Sequence, residues 1–299
     1  MRKLCFRFAL LIAIAVSILL SLASRAVAEP AAYVIADQTT GFILASSNPA
    51  KKRQIASLTK IATAMVALDW ATAQAVDLSQ LAVVPNSVVP LASQNGVGFA
   101  PGDSCSLRDL IYAALMQSDN QAAETIAHYV GTRLDSSEKP VATFVAQMNA
   151  LARSLGMKRT RFLNPHGLDT LERALPYSTA EDMVRLTAYG MRDAAFRFHV
   201  SQKERKITIH RAEGEQSSYL LRNTNELLAT AGIDGVKTGL TRRAGGCLAA
   251  SAARPASPTP RAPRACSTRA SSRGSGARRQ GTRRPRGSGR TADAPQRRR

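Results

Sequence analysis

The last 48 residues, 252–299, contain no valine, leucine, isoleucine, methionine, phenylalanine, tyrosine or tryptophan. They hold fourteen arginines, no lysine and one acidic residue, Asp293, and so contribute +13 of the formal net charge of +20. A segment without large apolar side chains cannot bury enough surface to offset the entropy that is lost on ordering. We therefore expect residues 252–299 to be a disordered tail rich in arginine, proline, serine and alanine.

The remainder of the chain has little net charge. Without the tail and the first 28 residues, the count of charged side chains is only +3. The high overall charge therefore does not indicate a basic binding face on a folded domain. Because the tail also lacks the aromatic side chains that stack on bases, we expect no nucleic-acid partner.

Neither the cysteines nor the histidines have the spacing of a disulfide framework, a zinc site or a catalytic triad. The cysteines are widely separated and form no CxxC pair: Cys5, Cys105, Cys247 and Cys266. This distribution indicates neither a disulfide framework nor a zinc site. The histidines lack the aspartate and serine contexts of the familiar triad hydrolases: His128, His166, His199 and His210. A serine nucleophile in this chain would need a different base.

The N-terminus has the pattern of an export signal. Three basic residues in the first seven positions precede an apolar run over 8–23, and Ala26–Ala28 supplies small residues for cleavage. The pattern predicts a signal peptide over 1–28 and an exported mature chain that begins at Glu29, with no transmembrane helix after cleavage. The alternative is an uncleaved membrane anchor, which a longer uninterrupted apolar stretch, nearer twenty residues, would favour; Arg25 and the Ala-Val-Ala site favour cleavage.

Hydrophobic periodicity predicts a mixture of helices and strands in the mature chain. A β-hairpin is expected over Ala32–Ala45, turning at Asp37–Gly41. Helices are expected over 57–73, 107–117, 121–129, 141–155 and 179–191, and strands over 206–210 and 235–251, the last a pair joined at 241–245. Residues 161–178 are expected to form a loop.

Three short motifs occur in order along this chain: Ser57-Leu-Thr-Lys60, Ser118-Asp-Asn120 and Lys237-Thr-Gly239. The first two patterns are weak alone, because S-x-x-K recurs at Ser136 and S-x-N recurs at Ser46 and Ser93. The surrounding sequence distinguishes the S-x-x-K motif at Ser57 from its copy at Ser136. Ser57 opens an apolar helix on which a three-residue spacing places Lys60 on the same face, whereas Ser136 lies in a polar stretch.

Each motif also has a purely structural interpretation. Ser57 could be a helix cap with Lys60 exposed, 118–120 a helix–helix turn, and Lys237 a strand-end lysine. The chemistry of a serine activated by a lysine favours a single site that contains all three motifs. A lysine serves as base to a serine when desolvation or a second cation lowers its pKa, and Lys237 would be that cation. Lys237 would also attract an anionic substrate, while Ser118 and Asn120 would relay a proton and hold an amide.

With these motifs, the chain resembles the serine D-alanyl-D-alanine carboxypeptidases, the low-molecular-mass penicillin-binding proteins of peptidase family S11. The resemblance covers roughly 32–251 and rests also on ADQTTGFILAS, PGDSCSLRDLIYAALMQSDNQAAE, MNALARSLGMKRTRFLNPHGLD, YSTAEDMVRL and DGVKTGLTRRAGGCLAAS. It implies an α+β fold of the β-lactamase/transpeptidase type. This fold has a mainly antiparallel sheet flanked by helices, and a helical subdomain.

The resemblance also implies an activity and a role for each motif residue. The enzyme would remove the terminal D-alanine of peptidoglycan stem peptides in the periplasm or at the outer face of the cytoplasmic membrane, and β-lactams would inhibit it. The implied catalytic residues are Ser57 as nucleophile, Lys60 as base and Ser118 in the proton network. The implied substrate-binding residues are Asn120, Lys237, Thr238, Gly239 and Leu240. The backbone N–H groups of Ser57 and Leu240 would form the oxyanion hole. His166 is read as structural, and neither a metal nor an organic cofactor is implied.

The C-terminal end departs from the family pattern. Such a domain should continue past Ser251 with another strand, placed inside the sheet beside the N-terminal strand, and a helix, but 252–299 offers no apolar segment for either. We therefore expect the domain over 29–251 to be incomplete, and the tail to be an out-of-frame product that begins near 250–255. The alternative is a genuine basic tail that binds nucleic acid or an anionic cell-wall polymer by charge.

Two other functions stay open beside the carboxypeptidase. The first is an inactive fragment of such an enzyme, which the tail composition favours. The second is a β-lactamase, which would need a glutamate-activated water; Glu172 follows the Asn-Pro-His-Gly segment and does not fit that role.

Overall fold

The computed structural model describes residues 29–91, 96–135, 138–169 and 174–253. The expected signal peptide over 1–28 and residues 254–299 of the expected tail lie outside the described residues. Ser136 and Glu172 also lie outside them. No helix in these four ranges is both long and apolar enough to cross a membrane.

Six α-helices are present in the described ranges. They are α1 (Thr59–Ala73), α2 (Leu107–Met116), α3 (Asn120–Leu134), α4 (Pro140–Ser154), α5 (Ala180–Gly190) and α6 (Ala194–Ser201). Short 3-10 turns lie at Ala56–Leu58, Asn86–Leu91 and Glu226–Ala229. The helix predicted from Ser57 therefore begins two residues later, with Ser57 in the 3-10 turn that precedes it.

Eight strands form three antiparallel sheets within the described ranges. The strands are β1 (Tyr33–Ala36), β2 (Ile43–Ser47), β3 (Leu81–Val83), β4 (Ser104–Ser106), β5 (Glu204–His210), β6 (Gln216–Arg222), β7 (Ile233–Thr241) and β8 (Gly245–Ala252). β1 pairs with β2, β7 pairs with β8, and the third sheet has the order β3-β4-β5-β6. The fold is α+β, as predicted.

Helix α1 is the centre of the core. It is apolar around its whole circumference and is buried at nearly every position, which is typical of a helix enclosed on all sides. The other five helices all contact it. Because Lys60 lies in its first turn, this burial carries the lysine amine into the protein interior.

Polar residues at the helix starts satisfy backbone groups that a helix leaves unpaired. Ser106, Asp119, Thr179 and Asp193 each accept a hydrogen bond from the N–H three residues ahead, at the starts of α2, α3, α5 and α6. The predicted cap at Thr179 is thereby confirmed. Asp119 is the middle residue of the second motif, so its cap also fixes the position of that motif.

The two hairpins at the ends of the domain stay separate. No backbone ladder joins β1–β2 to β7–β8 among the described residues, although α5 contacts both β1 and β8. Apolar side chains on both hairpins remain exposed to solvent, with exposed fractions of 54% for Ile35, 64% for Leu44 and 52% for Leu248. Both hairpins therefore present unpaired strand edges and uncovered apolar surface.

Several elements were not predicted from the sequence. Helix α6 is short, and β3 and β4 have three residues each, so none has enough residues to establish a period. β6 has the sequence QSSYLLR, in which polar and apolar residues do not alternate clearly. Its strand conformation follows instead from pairing with β5 along its whole length. The predicted hairpins at both ends and the predicted helices over 107–117, 141–155 and 179–191 are confirmed within two residues.

The cap of α5 provides a test of these local interactions. Thr179 Oγ1 accepts a 3.1 Å hydrogen bond from Asp182 N. Thr179→Ala removes the acceptor and should lower the free energy of unfolding by about 1 kcal/mol in urea denaturation. Thr179→Ser retains the hydroxyl and should lose distinctly less. Equal losses in the two variants would show that the cap bond contributes nothing.

Candidate active site

The structure brings all three motifs together around the amine of Lys60. Lys60 Nζ lies 3.0 Å from Ser57 Oγ and 2.7 Å from Asn120 Oδ1. Gly239, from the third motif, lies against the backbone nitrogen of Ser57. Residues that are 60 to 180 positions apart in the sequence thus form one cluster.

The 3-10 turn before α1 presents Ser57. Its preceding residue, Ala56, has a φ of +48°, a left-handed conformation that costs a non-glycine residue roughly 1–3 kcal/mol. Leu58 N donates to Ile55 O across this turn. Three positions after Ser57, the first turn of α1 carries Lys60 back over the serine, which confirms the predicted juxtaposition.

The turn between α2 and α3 carries the second motif. Ser118 has a φ of +64°, so the chain reverses sharply between the two helices. Asp119 then caps α3 and also accepts a 2.7 Å hydrogen bond from Val97 N. Asn120 is the first residue of α3 and points its amide oxygen at Lys60. Half-buried Ser118 makes no hydrogen bond with Ser57 or Lys60 in the part of the chain that the structure describes.

A backbone carbonyl completes the surroundings of Lys60. The carbonyl oxygen of His166 accepts a 2.7 Å hydrogen bond from Lys60 Nζ. Sequence reasoning assigned His166 a structural part only and missed this contact, since every residue has a carbonyl and no side-chain pattern marks this one. The His166 ring is buried, and its Nδ1 accepts from Leu168 N.

The loop that contains His166 is held on both sides. Gly167 has a φ of +83°, and a Cβ there would overlap the carbonyl oxygen of Ala56, so the loop presses on the turn that carries Ser57. At its far end, Asp169 Oδ1 accepts a 3.0 Å hydrogen bond from Thr241 Oγ1 at the end of β7. The loop therefore connects the serine turn with the third motif.

Strand β7 lines the other side of the cluster. Lys237 is 1% exposed, and its Nζ donates a 2.8 Å hydrogen bond to Thr238 O. A Cβ on Gly239 would lie 2.9 Å from Ser57 N, closer than real side chains approach, so glycine is needed for this contact. Leu240 follows with 77% of its surface exposed.

Burial lowers the pKa of both lysines. The pKa of Lys60 lies well below its usual range because the amine is desolvated and faces the positive charge of Lys237, although Asp119 acts in the opposite direction. Desolvation lowers the pKa of Lys237 to about 7. A neutral Lys60 amine is therefore accessible near neutral pH.

Lys60 Nζ has three oxygen neighbours, which can accept all three protons of an ammonium or, for a neutral amine, two protons and the approach of the lone pair. A neutral amine has two N–H donors and one lone pair, whereas an ammonium has three donors and no acceptor. Asn120 Oδ1 and His166 O are both acceptors in this arrangement and take two donors. The lone pair of a neutral Lys60 then faces Ser57 Oγ, which can donate its proton. This geometry can remove the proton of Ser57 and turn it into a nucleophile.

The described part of the chain contains neither a cluster of metal ligands nor an activated thiol. No group of three or more histidine, cysteine or acidic side chains there could hold a metal ion. Cys105 is buried, and desolvation raises the pKa of its thiol to about 12, which makes it unreactive.

The close contact at Gly239 can be tested with a matched substitution on the facing strand. Gly239→Ala should lower the free energy of unfolding by about 1–3 kcal/mol, because its methyl group would meet the backbone of Ser57. Gly246 pairs with Leu240 across the hairpin, and an added Cβ there has no atom within 4 Å. Gly246→Ala should change stability by less than about 0.5 kcal/mol in urea denaturation. A similar effect of both substitutions would contradict the close approach.

Burial of His166 predicts a pH dependence of stability. Desolvation and the charge of Lys60 lower its pKa to about 3, whereas a histidine in the unfolded chain titrates near about 6.5. Since the unfolded state binds a proton first, the stability that a neutral His166 provides above pH ~6.5 is lost as the pH falls toward 3. His166→Asn should reduce the loss between pH ~6.5 and ~4.5 by about 2 kcal/mol, measured by urea denaturation at each pH. Identical pH slopes for both proteins would contradict the buried neutral ring.

Comparison with known proteins identifies the family. The sequence profile of the D-alanyl-D-alanine carboxypeptidase family, peptidase S11, matches residues 21–259. The chain is 35% identical to a D-alanyl-D-alanine endopeptidase of Pseudomonas aeruginosa over 72% of its own length and 64% of that protein. It is 32% identical to the D-alanyl-D-alanine carboxypeptidase DacC of Escherichia coli over 74% of its length and 52% of that protein. The chain thus spans less than two thirds of these two relatives.

Solved structures have the same fold. The Streptomyces K15 DD-transpeptidase matches with a TM-score of 0.67 and 27% identity, over 75% of this chain and 84% of that one. A D-alanyl-D-alanine carboxypeptidase from Mycobacterium tuberculosis matches with a TM-score of 0.64 and 31% identity, over 75% and 77%. The profile match, the relatives and the shared fold together show that this chain belongs to the D-alanyl-D-alanine carboxypeptidase family, peptidase S11.

Proposed function

We propose that this protein is a serine D-alanyl-D-alanine carboxypeptidase that removes the terminal D-alanine from peptidoglycan stem peptides. The observation that carries the proposal is the buried Lys60 amine, which has two fixed acceptors and Ser57 Oγ as its third neighbour. Membership in the S11 family supplies the substrate class.

The reaction starts with proton transfer from Ser57 Oγ to neutral Lys60. The serine oxygen attacks the carbonyl carbon of the penultimate D-alanine, and an ester bond replaces the peptide bond. The departing D-alanine amine takes up a proton through Lys60 and Ser118, and a water molecule then hydrolyses the ester. Asn120 serves twice in this scheme, because its oxygen orients Lys60 while its N–H₂ can hold the substrate amide.

The free carboxylate of the substrate binds Lys237 and Thr238. Its negative charge favours the protonated form of Lys237, whose pKa of about 7 leaves the free amine only partly charged at neutral pH. The bound carboxylate and protonated Lys237 would then form an ion pair, with Thr238 donating its hydroxyl proton to the same anion.

The oxyanion of the tetrahedral intermediate is held by the backbone N–H groups of Ser57 and Leu240. The contact between Gly239 and Ser57 N supports this assignment, because it brings the strand that bears Leu240 alongside the nucleophile. Two such donors stabilise negative charge that develops only in the transition state.

The cellular setting follows from the sequence. The N-terminal pattern over 1–28 supports export, so the serine peptidase domain over 29–251 would meet peptidoglycan in the periplasm or on the outer face of the cytoplasmic membrane. β-Lactams would acylate Ser57 as substrate analogues. Peptidoglycan is the partner in this proposal, and nucleic acid is not.

An endopeptidase is a second candidate for the same catalytic centre. Two relatives, 35% and 32% identical, are D-alanyl-D-alanine endopeptidases. The two activities differ in product: a carboxypeptidase releases free D-alanine, whereas an endopeptidase cuts within a cross-linked peptide. Incubation with a stem pentapeptide and with a cross-linked dimer, followed by mass spectrometry of the products, distinguishes them.

A catalytically silent protein is the other candidate, and the separation of the two end hairpins favours it. Within the described ranges, β1 and β8 each have an unpaired edge, and Ile35, Leu44 and Leu248 are exposed, which reduces the stability available to hold the site. This candidate predicts a folded or partly folded chain that no penicillin labels.

Acylation by a fluorescent penicillin tests the proposal directly. The purified chain should acquire a covalent label and release D-alanine from a stem pentapeptide, because Ser57 is activated by Lys60. Ser57→Ala should lose both the label and the release. Slow turnover of the penicillin is expected, whereas fast hydrolysis would indicate a β-lactamase.

The control is a labelled member of the same family under the same conditions. If that enzyme is labelled and this chain is not, the carboxypeptidase proposal fails and the silent candidate stands. If Ser57→Ala retains the label, the nucleophile has been assigned to the wrong residue.

A further inference from the structure

A second threonine touches the proposed carboxylate-binding residue. Thr224 Oγ1 lies 2.6 Å from Thr238 Oγ1, within the normal range for a hydroxyl–hydroxyl hydrogen bond. Thr224 lies in the loop between β6 and the 3-10 turn at Glu226–Ala229, far in sequence from all three motifs. No motif in the sequence marks it.

Thr224 is itself held in place by the end of α2. Its backbone N donates a 2.9 Å hydrogen bond to Met116 O, and its Oγ1 lies 3.2 Å from the same carbonyl oxygen. Met116 is two residues before Ser118. Thr224 therefore connects the turn that carries the second motif to the strand that carries the third.

The number of hydroxyl protons determines which hydrogen bonds Thr224 and Thr238 can form together. Each threonine hydroxyl has one proton to donate, and a carbonyl oxygen can only accept. Thr224 can therefore give its proton either to Met116 O at 3.2 Å or to Thr238 Oγ1 at 2.6 Å. Met116 O keeps its bond from Thr224 N in both arrangements, so turning the Thr224 proton toward Thr238 leaves no acceptor without a partner.

A bound carboxylate selects one of these arrangements. Thr238 would donate its proton to the anion, since hydrogen bonds to ionised acceptors are roughly twice as strong as those between neutral groups. Its oxygen then faces Thr224 as an acceptor, and Thr224 can supply the matching donor. Without that donor, the Thr238 hydroxyl is free to rotate away from the substrate.

We propose that Thr224 is a positioning residue that donates to Thr238 and thereby directs the Thr238 hydroxyl toward the carboxylate of the substrate. This inference rests on the proposed function, because it takes the carboxylate of a D-alanyl-D-alanine peptide as the ligand of Thr238. It extends the binding set beyond the three motifs to the loop after β6.

Equilibrium binding tests the inference independently of turnover. In the Ser57→Ala background, the dissociation constants of an acetylated D-alanyl-D-alanine stem peptide and of its C-terminal amide would be measured by calorimetry. Thr224→Val, which keeps the shape of the side chain and removes the hydroxyl, should weaken binding of the carboxylate peptide about tenfold. Binding of the amide should be unchanged, since it lacks the anion that Thr238 serves.

Three further variants separate positioning from a general structural effect. Thr224→Ser restores the hydroxyl and should rescue carboxylate binding. Thr230→Val, an exposed threonine in the same connection, is the matched control and should leave both affinities unchanged. Thr238→Val combined with Thr224→Val should weaken binding no more than Thr238→Val alone, because Thr224 acts through Thr238.

The outcomes are decisive in both directions. Equal weakening for peptide and amide, no rescue by serine, or additive losses in the double variant would overturn the inference, as would absence of any carboxylate binding in Ser57→Ala. Failure of the proposed function has a different signature. In that case the peptide binds with the expected dependence on Thr224, but the chain with Ser57 releases no D-alanine and takes no penicillin label.

Discussion

The burial of the Lys60 amine is the constraint on which the rest of the site depends. An ammonium placed in the interior without a carboxylate partner is costly, and the chain responds with a lowered pKa and with polar acceptors around the nitrogen. Asn120 and the carbonyl of His166 hold the amine beside Ser57 Oγ, so that a neutral Lys60 directs its lone pair at the serine. The same burial that creates a usable base therefore also sets its direction.

Three separate parts of the fold meet at the short turn that carries Ser57. The apolar helix α1 carries Lys60 inward, the loop with Gly167 presses on Ala56, and Gly239 contacts the nitrogen of Ser57. Positive φ angles at Ala56 and Ser118 lie at the two points where the chain reverses beside the site. Backbone strain at such positions persists only where surrounding packing enforces it, and the helices around α1 provide that packing.

The ends of the domain show the opposite situation. The centre is closed by six helices, whereas the two terminal hairpins expose apolar side chains and do not pair with each other among the described residues. The third motif belongs to the less enclosed part, because its strand pairs only with β8 there. The position of β7 beside Ser57 thus depends on contacts with the serine turn and with the loops at Asp169 and Thr224, more than on a continuous sheet.

Much of the local structure of this protein can be predicted from its sequence. Local patterns predict the hairpins at both ends, most helices, the Thr179 cap and the juxtaposition of Ser57 with Lys60. They do so because helical spacing and capping act over three or four positions. The tertiary structure alone decided the contacts made by groups that carry no local signature. The His166 carbonyl is 106 residues from Lys60, and the Thr224 hydroxyl meets Thr238 from an unpatterned loop. A backbone oxygen or a single threonine looks the same everywhere in a sequence, and only packing determines which one lies beside the reacting atoms.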